Sequence, residues 1–298
     1  MKLTRHLIVL SLLLAQLSLN AYGSNTASEA FWANLLSAKY TNNEVLWLEG
    51  AGKKSISLIN EVKTARIQGA AIILHSVTGH PDWPYVIAPL RKNLPKYGWL
   101  TLSIQLPLED PHTIKKDYAL LLDGSPARIT AAINYLSNRG IQNIVLIGYG
   151  MGGVMAANYL DNKTTPGVTG FIGINITDYS NNDKRLYTPR SIKNIAVPML
   201  DIYGSLADHH VLSSASARAY AAREASMNPS SPARVAALQQ SAIAESALTK
   251  RTGFIAYRKI IIAGANQRFT HFDDNLLKRI AGWLKHHAGG VSRTISQK

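Results

Sequence analysis

The sequence predicts an α/β domain with a mostly parallel sheet, helices on both faces and an antiparallel hairpin at its N-terminal end. Three observations point there. Ala70-Ala-Ile-Ile-Leu-His75 is an unbroken apolar run, as a strand covered on both faces requires. From that run onward, strand-like segments alternate with segments of helical period, the order that builds a parallel sheet. A third signal is Gly148-Tyr-Gly-Met-Gly152, a glycine-rich turn that joins a strand to a helix with no spacer.

The elements follow in chain order. Lys2, Arg5 and His6 precede the apolar run Leu7 to Leu19, and Ala21-Tyr22-Gly23 supplies small residues where a signal peptidase cuts. Residues 1–23 therefore read as a signal peptide, too short and wrongly flanked for a membrane span. No Cys follows the run, which argues against a lipid anchor. Residues 24–288 are expected to form a single domain, with 289–298 a flexible tail. The processed chain is expected to be periplasmic or secreted, with no transmembrane segment.

Residues 27–41 read as an amphipathic helix that gathers Phe31, Leu35, Leu36 and Tyr40 on one face. Glu44 to Glu49 and Ser55 to Val62 form the hairpin around Gly50-Ala-Gly52. Helix is expected over Val86 to Lys96, Ser125 to Asn138 (closed by Gly140), Met151 to Leu160 and Phe272 to His287. Strands are expected over Trp99 to Leu106, Asn143 to Gly148, Val168 to Ile176, Pro198 to Tyr203 and Tyr257 to Ala263. Residues 213–250 interrupt this rhythm. They read as two helices, 213–227 and 232–248, that form a cap-like insertion beside the C-terminal edge of the sheet.

Composition narrows the chemistry. The 298 residues include no Cys, which excludes disulfides, thiolate zinc sites and a cysteine nucleophile. The formal net charge is +14, but Lys53-Lys54, Lys115-Lys116 and Lys184-Arg185 are isolated pairs with no nucleic-acid motif beside them. No nucleic acid is expected as a partner. Weak, salt-screened attraction to anionic surfaces is.

In an α/β-hydrolase, a G-x-S-x-G between strand and helix is the nucleophile elbow, a turn that lifts its serine above the sheet. Here the middle residue is Gly150, which has no side chain to attack with. The chain resembles the α/β-hydrolase superfamily, and more closely DUF3530, a family of unknown function found in exported bacterial proteins. The resemblance runs over about residues 40–285. It rests on Gly79-His-Pro-Asp-Trp-Pro84, Val86-Ile-Ala-Pro-Leu-Arg91, Trp99-Leu-Thr-Leu-Ser-Ile-Gln-Leu-Pro107, Ala127-Arg-Ile129 and Gly282-Trp-Leu284. It implies a triad acid at Asp208, in Gly204-Ser-Leu-Ala-Asp208, and a triad base at Gln267, in Gly264-Ala-Asn-Gln-Arg-Phe269. Glutamine cannot take a proton. The oxyanion loop, which usually opens His-Gly, reads His75-Ser76. Two of the three triad positions are thus unfit for covalent catalysis, where losing nucleophile or base alone costs about a millionfold in turnover.

The residues expected around the cleft are His75, Ser76, His80, Trp83, Tyr149, Met151 and His271. Ser76 is either a relocated hydroxyl or a turn residue bonding its own backbone. His271 or His80 would have to supply a displaced base. Asp82-Trp83-Pro84 reads either as a helix start with a packed aromatic or as a stacking surface for a ligand. Asp208-His209-His210 lacks a third ligand, so no metal is expected, and no cofactor. Two functions from different classes remain: a binding or scaffolding protein of the bacterial envelope, holding a small molecule or envelope component in its cleft, and an esterase- or acyltransferase-like hydrolase that pairs His271 or His80 with Asp208. A third is a protein that meets a partner through its basic surface or the 213–250 segment.

Overall fold

The computed structural model describes residues 24–110, 118–161, 165–179, 183–227, 257–288 and 293–294. The expected signal peptide, the second helix of the insertion and most of the tail lie outside them.

The first helix, α1 (Thr26–Lys39), is capped by Asn25, whose side chain accepts the Ser28 N–H. Its packed face carries Glu29, Ala33 and Leu36, while Phe31 is 58% and Leu35 47% exposed. Half of the expected face holds, since Leu36 is buried and Tyr40 packs against the same cluster, and half, Phe31 and Leu35, faces outward. Arg128 draws Glu29 inward, donating to both carboxylate oxygens at 2.9 and 3.0 Å. A hydropathy pattern cannot count a paired, buried carboxylate as core. Strands β1 (Val45–Gly50) and β2 (Lys53–Asn60) form the hairpin, turning through Ala51 and Gly52 at positive φ.

A two-residue strand, β3 (Arg66–Ile67), precedes β4 (Gly69–Leu74). Helix α2 (Ile87–Asn93) then gives way to a 3-10 turn at Leu94–Tyr97 rather than running on to Lys96. Pro95 has no N–H to continue an α-helical ladder. Asp82 does not cap this helix; Val86 precedes it, at φ 63°. After β5 (Trp99–Ile104) comes α3 (Ala119–Asn138), six residues longer at its start than expected and with Pro126 inside it. The Ser125 hydroxyl donates to the Leu122 carbonyl that Pro126 leaves without its helical donor.

The remaining elements are β6 (Ile144–Tyr149), α4 (Met151–Leu160), β7 (Val168–Ile174), a short α5 (Thr188–Ile192) that the sequence did not signal, β8 (Met199–Leu206), α6 (His209–Met227), β9 (Tyr257–Asn266) and α7 (Asp273–His287). A final strand, β10 (Arg293–Thr294), pairs with β3.

The main sheet has eight strands in the order β1-β2-β5-β4-β6-β7-β8-β9. β1, β2 and β5 pair antiparallel, and every pair from β5–β4 to β8–β9 is parallel. The apolar run of β4 divides as its period demands: Ala70, Ile72 and Leu74 enter one core, Ala71 and Ile73 the other. Both faces are thereby sealed, which is why no polar alternation was visible in it. Because β4, β6, β7 and β8 run in parallel register (Leu74 opposite Gly148, Tyr149 opposite Ile174, Ile174 opposite Ile202), the loops after them emerge side by side. That edge carries the site.

Helix α6 starts at His209, four residues before the expected 213. It is fastened to the sheet by a fully buried ion pair, Arg218 Nε to Asp201 Oδ2 at 2.8 Å, with Arg218 also donating to the Ile176 and Val211 carbonyls and to Ser214 Oγ. Among the described residues no helix is long and apolar enough to cross a membrane.

Candidate functional site

The turn between β6 and α4 has the geometry of a nucleophile elbow. Gly150 sits at φ 56°, ψ −121°, and its N–H donates to the Ile174 carbonyl at 2.9 Å. Gly148 and Gly152 are demanded by close backbone approach. A Cβ on Gly148 would lie 2.5 Å from the Gly152 carbonyl oxygen, and one on Gly152 would lie 2.3 Å from that of Leu74. The elbow is intact in every respect except its central side chain.

Ser76 fills the space that side chain would have taken. A Cβ built on Gly150 would stand 2.7 Å from Ser76 Oγ, closer than real Cβ atoms come, and a tight 3.2 Å from Ser76 Cβ. Ser76 Oγ in turn accepts the Met151 N–H at 3.2 Å. In a working hydrolase the amide after the nucleophile stabilises the oxyanion; here a hydroxyl of the protein itself occupies it. The usual glycine of the oxyanion loop and the usual serine of the elbow have exchanged places across one contact.

His75 sets the shape of this loop. Its Nε2 accepts the Leu106 N–H at 2.9 Å, which places the proton on Nδ1, and Nδ1 donates to the Ser76 carbonyl at 2.6 Å. Burial pushes its pKa down to about 3. His75 is thus a neutral, fully engaged brace rather than a base.

The acid and base positions do converge. The Asp208 backbone N–H donates to Gln267 Oε1 at 3.2 Å, a contact between residues 59 apart in sequence that leaves the Asp208 carboxylate out of it. Asp208 is exposed at the start of α6, where a carboxylate favours the helix dipole. Tyr149 is buried beside them and donates its hydroxyl to the Gln267 carbonyl at 3.0 Å. Burial, then the nearby Asp208 charge, pushes its pKa up to about 12, so it stays protonated.

Asn175 is a component that sequence reasoning missed. Fully buried just past β7 at φ 45°, it donates to the Gln267 carbonyl at 2.8 Å and accepts the Gly204 N–H at 3.1 Å. It ties the end of β7 to β8, which leads into Asp208, and to the loop that carries Gln267. The only signal was a lone Asn interrupting the apolar run Val168 to Ile176.

The remaining sequence-selected residues sit elsewhere. His80 is 7% exposed, its ring stacked on Trp32 at 4.0 Å and edge-on to Trp83 at 5.6 Å, and burial takes its pKa down to about 4. The Asp82 carboxylate of the same stretch receives Lys39, Tyr40 and Arg91, each at 2.7 Å, and pins α1 to α2. His271 is exposed at φ 67° ahead of α7. The structure brings Ser76, Tyr149, Gly150, Met151, Asp208 and Gln267 together through these contacts, with His75 behind Ser76. Among the described residues no imidazole or carboxylate hydrogen-bonds Ser76 Oγ, and no group of three metal-ligating side chains occurs.

Residues 24–125 and 121–256 match the sequence profile of DUF3530, described as a protein of unknown function. No curated protein matches the chain. Among solved structures, an alpha-beta serine hydrolase homologue from Coxiella burnetii is similar at TM-score 0.53 and 14% identity, over 82% of this chain and 99% of that one. Est1E from Butyrivibrio proteoclasticus is similar at TM-score 0.57 and 11% identity, over 82% and 98%. Dienelactone hydrolase from Anabaena variabilis is similar at TM-score 0.57 and 14% identity, over 82% and 97%. At these identities the likeness establishes the fold.

Proposed function

The chain belongs to the DUF3530 family and carries the α/β-hydrolase fold, and from that premise we propose that it is an exported, non-hydrolytic binding or scaffolding protein of the bacterial envelope. The observation that carries this reading is the Ser76 hydroxyl lodged against Gly150 and bonded to the Met151 amide. A serine can attack a carbonyl only if a base takes its proton. The base position holds Gln267, already engaged with the Asp208 backbone. An oxyanion must also find a free amide, and a donor removed from such a hole costs about a hundred- to a thousandfold in turnover. Both requirements fail at once.

What stays intact is the frame. The edge above the elbow keeps its polar groups convergent and its shape braced by His75, Tyr149 and Asn175, as a site for a small molecule or envelope component needs. The leader-like residues 1–23 support export. His80 and His271 lend little to the hydrolytic reading, because the first is stacked between tryptophans and the second is an exposed turn residue.

The test is turnover of p-nitrophenyl esters, from acetate to octanoate, by the purified protein and by Asp208→Ala. The expected result is no hydrolysis above the buffer rate in either. Hydrolysis by the parent protein that Asp208→Ala abolishes would make the protein an enzyme.

A further inference from the structure

A second concave feature lies away from the elbow, between the edge strand β9 and α7. It has a volume of about 340 Å³, a size that admits a small ligand. One face of α7 supplies Lys278 and, one, eight and nine residues on, Arg279, His286 and His287, and Arg258 of β9 lines the same cavity. No carboxylate lines it, and among the described residues neither Arg258, Lys278 nor Arg279 has an ion-pair or hydrogen-bond partner. Like charges gathered without a counter-ion oppose folding, and an anion bound among them would relieve that repulsion.

Two further observations are independent of charge. Gly282 stands mid-helix at the centre of the lining, where glycine costs about 1 kcal/mol against alanine. A Cβ there would meet nothing within 4 Å, so packing does not demand the glycine; its effect is to leave the cavity open. Trp283, beside it, is 4% exposed and stacks on His287 at 5.2 Å, so an aromatic pair lines the recess between the cations. Burial, together with the Arg258 and His286 charges, lowers the His287 pKa, which places His287 in the same cationic surroundings.

We propose that this cavity binds a compact polyanion of phosphate-ester chemistry. The polar side chains lining it are donors: two guanidinium forks, an ammonium and imidazoles. A phosphate offers only acceptor oxygens and up to two charges, which suits that set. The shared chemistry could come from a soluble phosphorylated molecule or from a phospholipid head group. The site is separate from the elbow and does not depend on the function proposed for it.

The full chain is titrated calorimetrically with inorganic pyrophosphate and, separately, sedimented with vesicles of phosphatidylglycerol or of phosphatidylcholine. Gly282→Leu fills the cavity without changing charge, and Lys278→Gln with Arg279→Gln removes charge at two exposed positions. Lys285→Gln, on the same helix but outside the lining, is the charge control. Saturable pyrophosphate binding that weakens about tenfold in Gly282→Leu, and about a hundredfold in the double variant, supports a soluble ligand. Binding to phosphatidylglycerol vesicles alone, lost in Gly282→Leu and kept in Lys285→Gln, supports a lipid head group. Binding to neither probe, or binding that Gly282→Leu leaves unchanged, overturns the proposal.

Discussion

The decisive event in this molecule is the size of one contact. With Ser76 Oγ only 2.7 Å from where a Gly150 Cβ would stand, the two positions cannot both carry side chains without movement. Gly150→Ser should therefore destabilise the fold by about 1–3 kcal/mol, the cost typical of overpacking. Adding Ser76→Gly should recover part of that loss, because residues in contact couple. Thermal unfolding of the two single variants and the double one checks this, and strictly additive effects would deny the contact. Ser76→Gly with Gly150→Ser and Gln267→His should also show ester turnover that the parent lacks. Much of this site was legible in the sequence. Gly150 and Gln267 stood out because the elbow and the late loop keep a motif spacing, and the Asp208 backbone N–H meets the Gln267 side chain. The role of Ser76 was not readable, since its partners Gly150 and Met151 lie 74 and 75 residues away and no local pattern records them. Asn175 escaped for the same reason: its meaning lies in bonds to two distant loops.

At the scale of elements, two of the misplaced features are places where a charged side chain is buried. Half of the α1 face was misassigned because Glu29 pairs with Arg128, and the helix-start reading of Asp82 fails because its carboxylate receives Lys39, Tyr40 and Arg91. Helix α6 is held in the same manner by Arg218 and Asp201, both fully buried. Arg218→Ala would leave Asp201 without its guanidinium, apart from the Tyr257 hydroxyl at 3.1 Å, and should cost about 3–5 kcal/mol. Chemical denaturation measures it. A loss near that of an exposed pair, under about 1 kcal/mol, would mean that α6 docks by apolar packing alone. The Asp82 carboxylate offers a second check. Burial alone would raise its pKa, but hydrogen bonds from Lys39, Tyr40 and Arg91 prevail and hold it at about 2. Its contribution to stability is present above the ordinary value of 3.8 and is lost as pH falls through about 2. Asp82→Asn should flatten the acid limb of the stability curve between those values.

Across the whole molecule, the fold was the most legible property, because unbroken apolar strands and helical periods recur through most of the chain and each is a local signal. Its interior also makes a global prediction. His75 and His80 are held neutral by burial, with pKa values of about 3 and about 4, whereas the unfolded chain takes up those protons near 6.5. The unfolded state therefore binds more protons than the native state between these values. Stability is full above pH 6.5 and falls as the solution is acidified, by about 1.4 kcal/mol per pH unit for each proton. Denaturant midpoints at pH 7 and pH 5 check the slope, and midpoints indifferent to pH would contradict the buried, neutral state of both rings. The central claim is that the elbow holds no activated hydroxyl, and the most direct measurement of it is intact-mass analysis after exposure to a fluorophosphonate. The account predicts an unshifted mass even with the probe in large excess. A stoichiometric adduct mapped to Ser76 would contradict it.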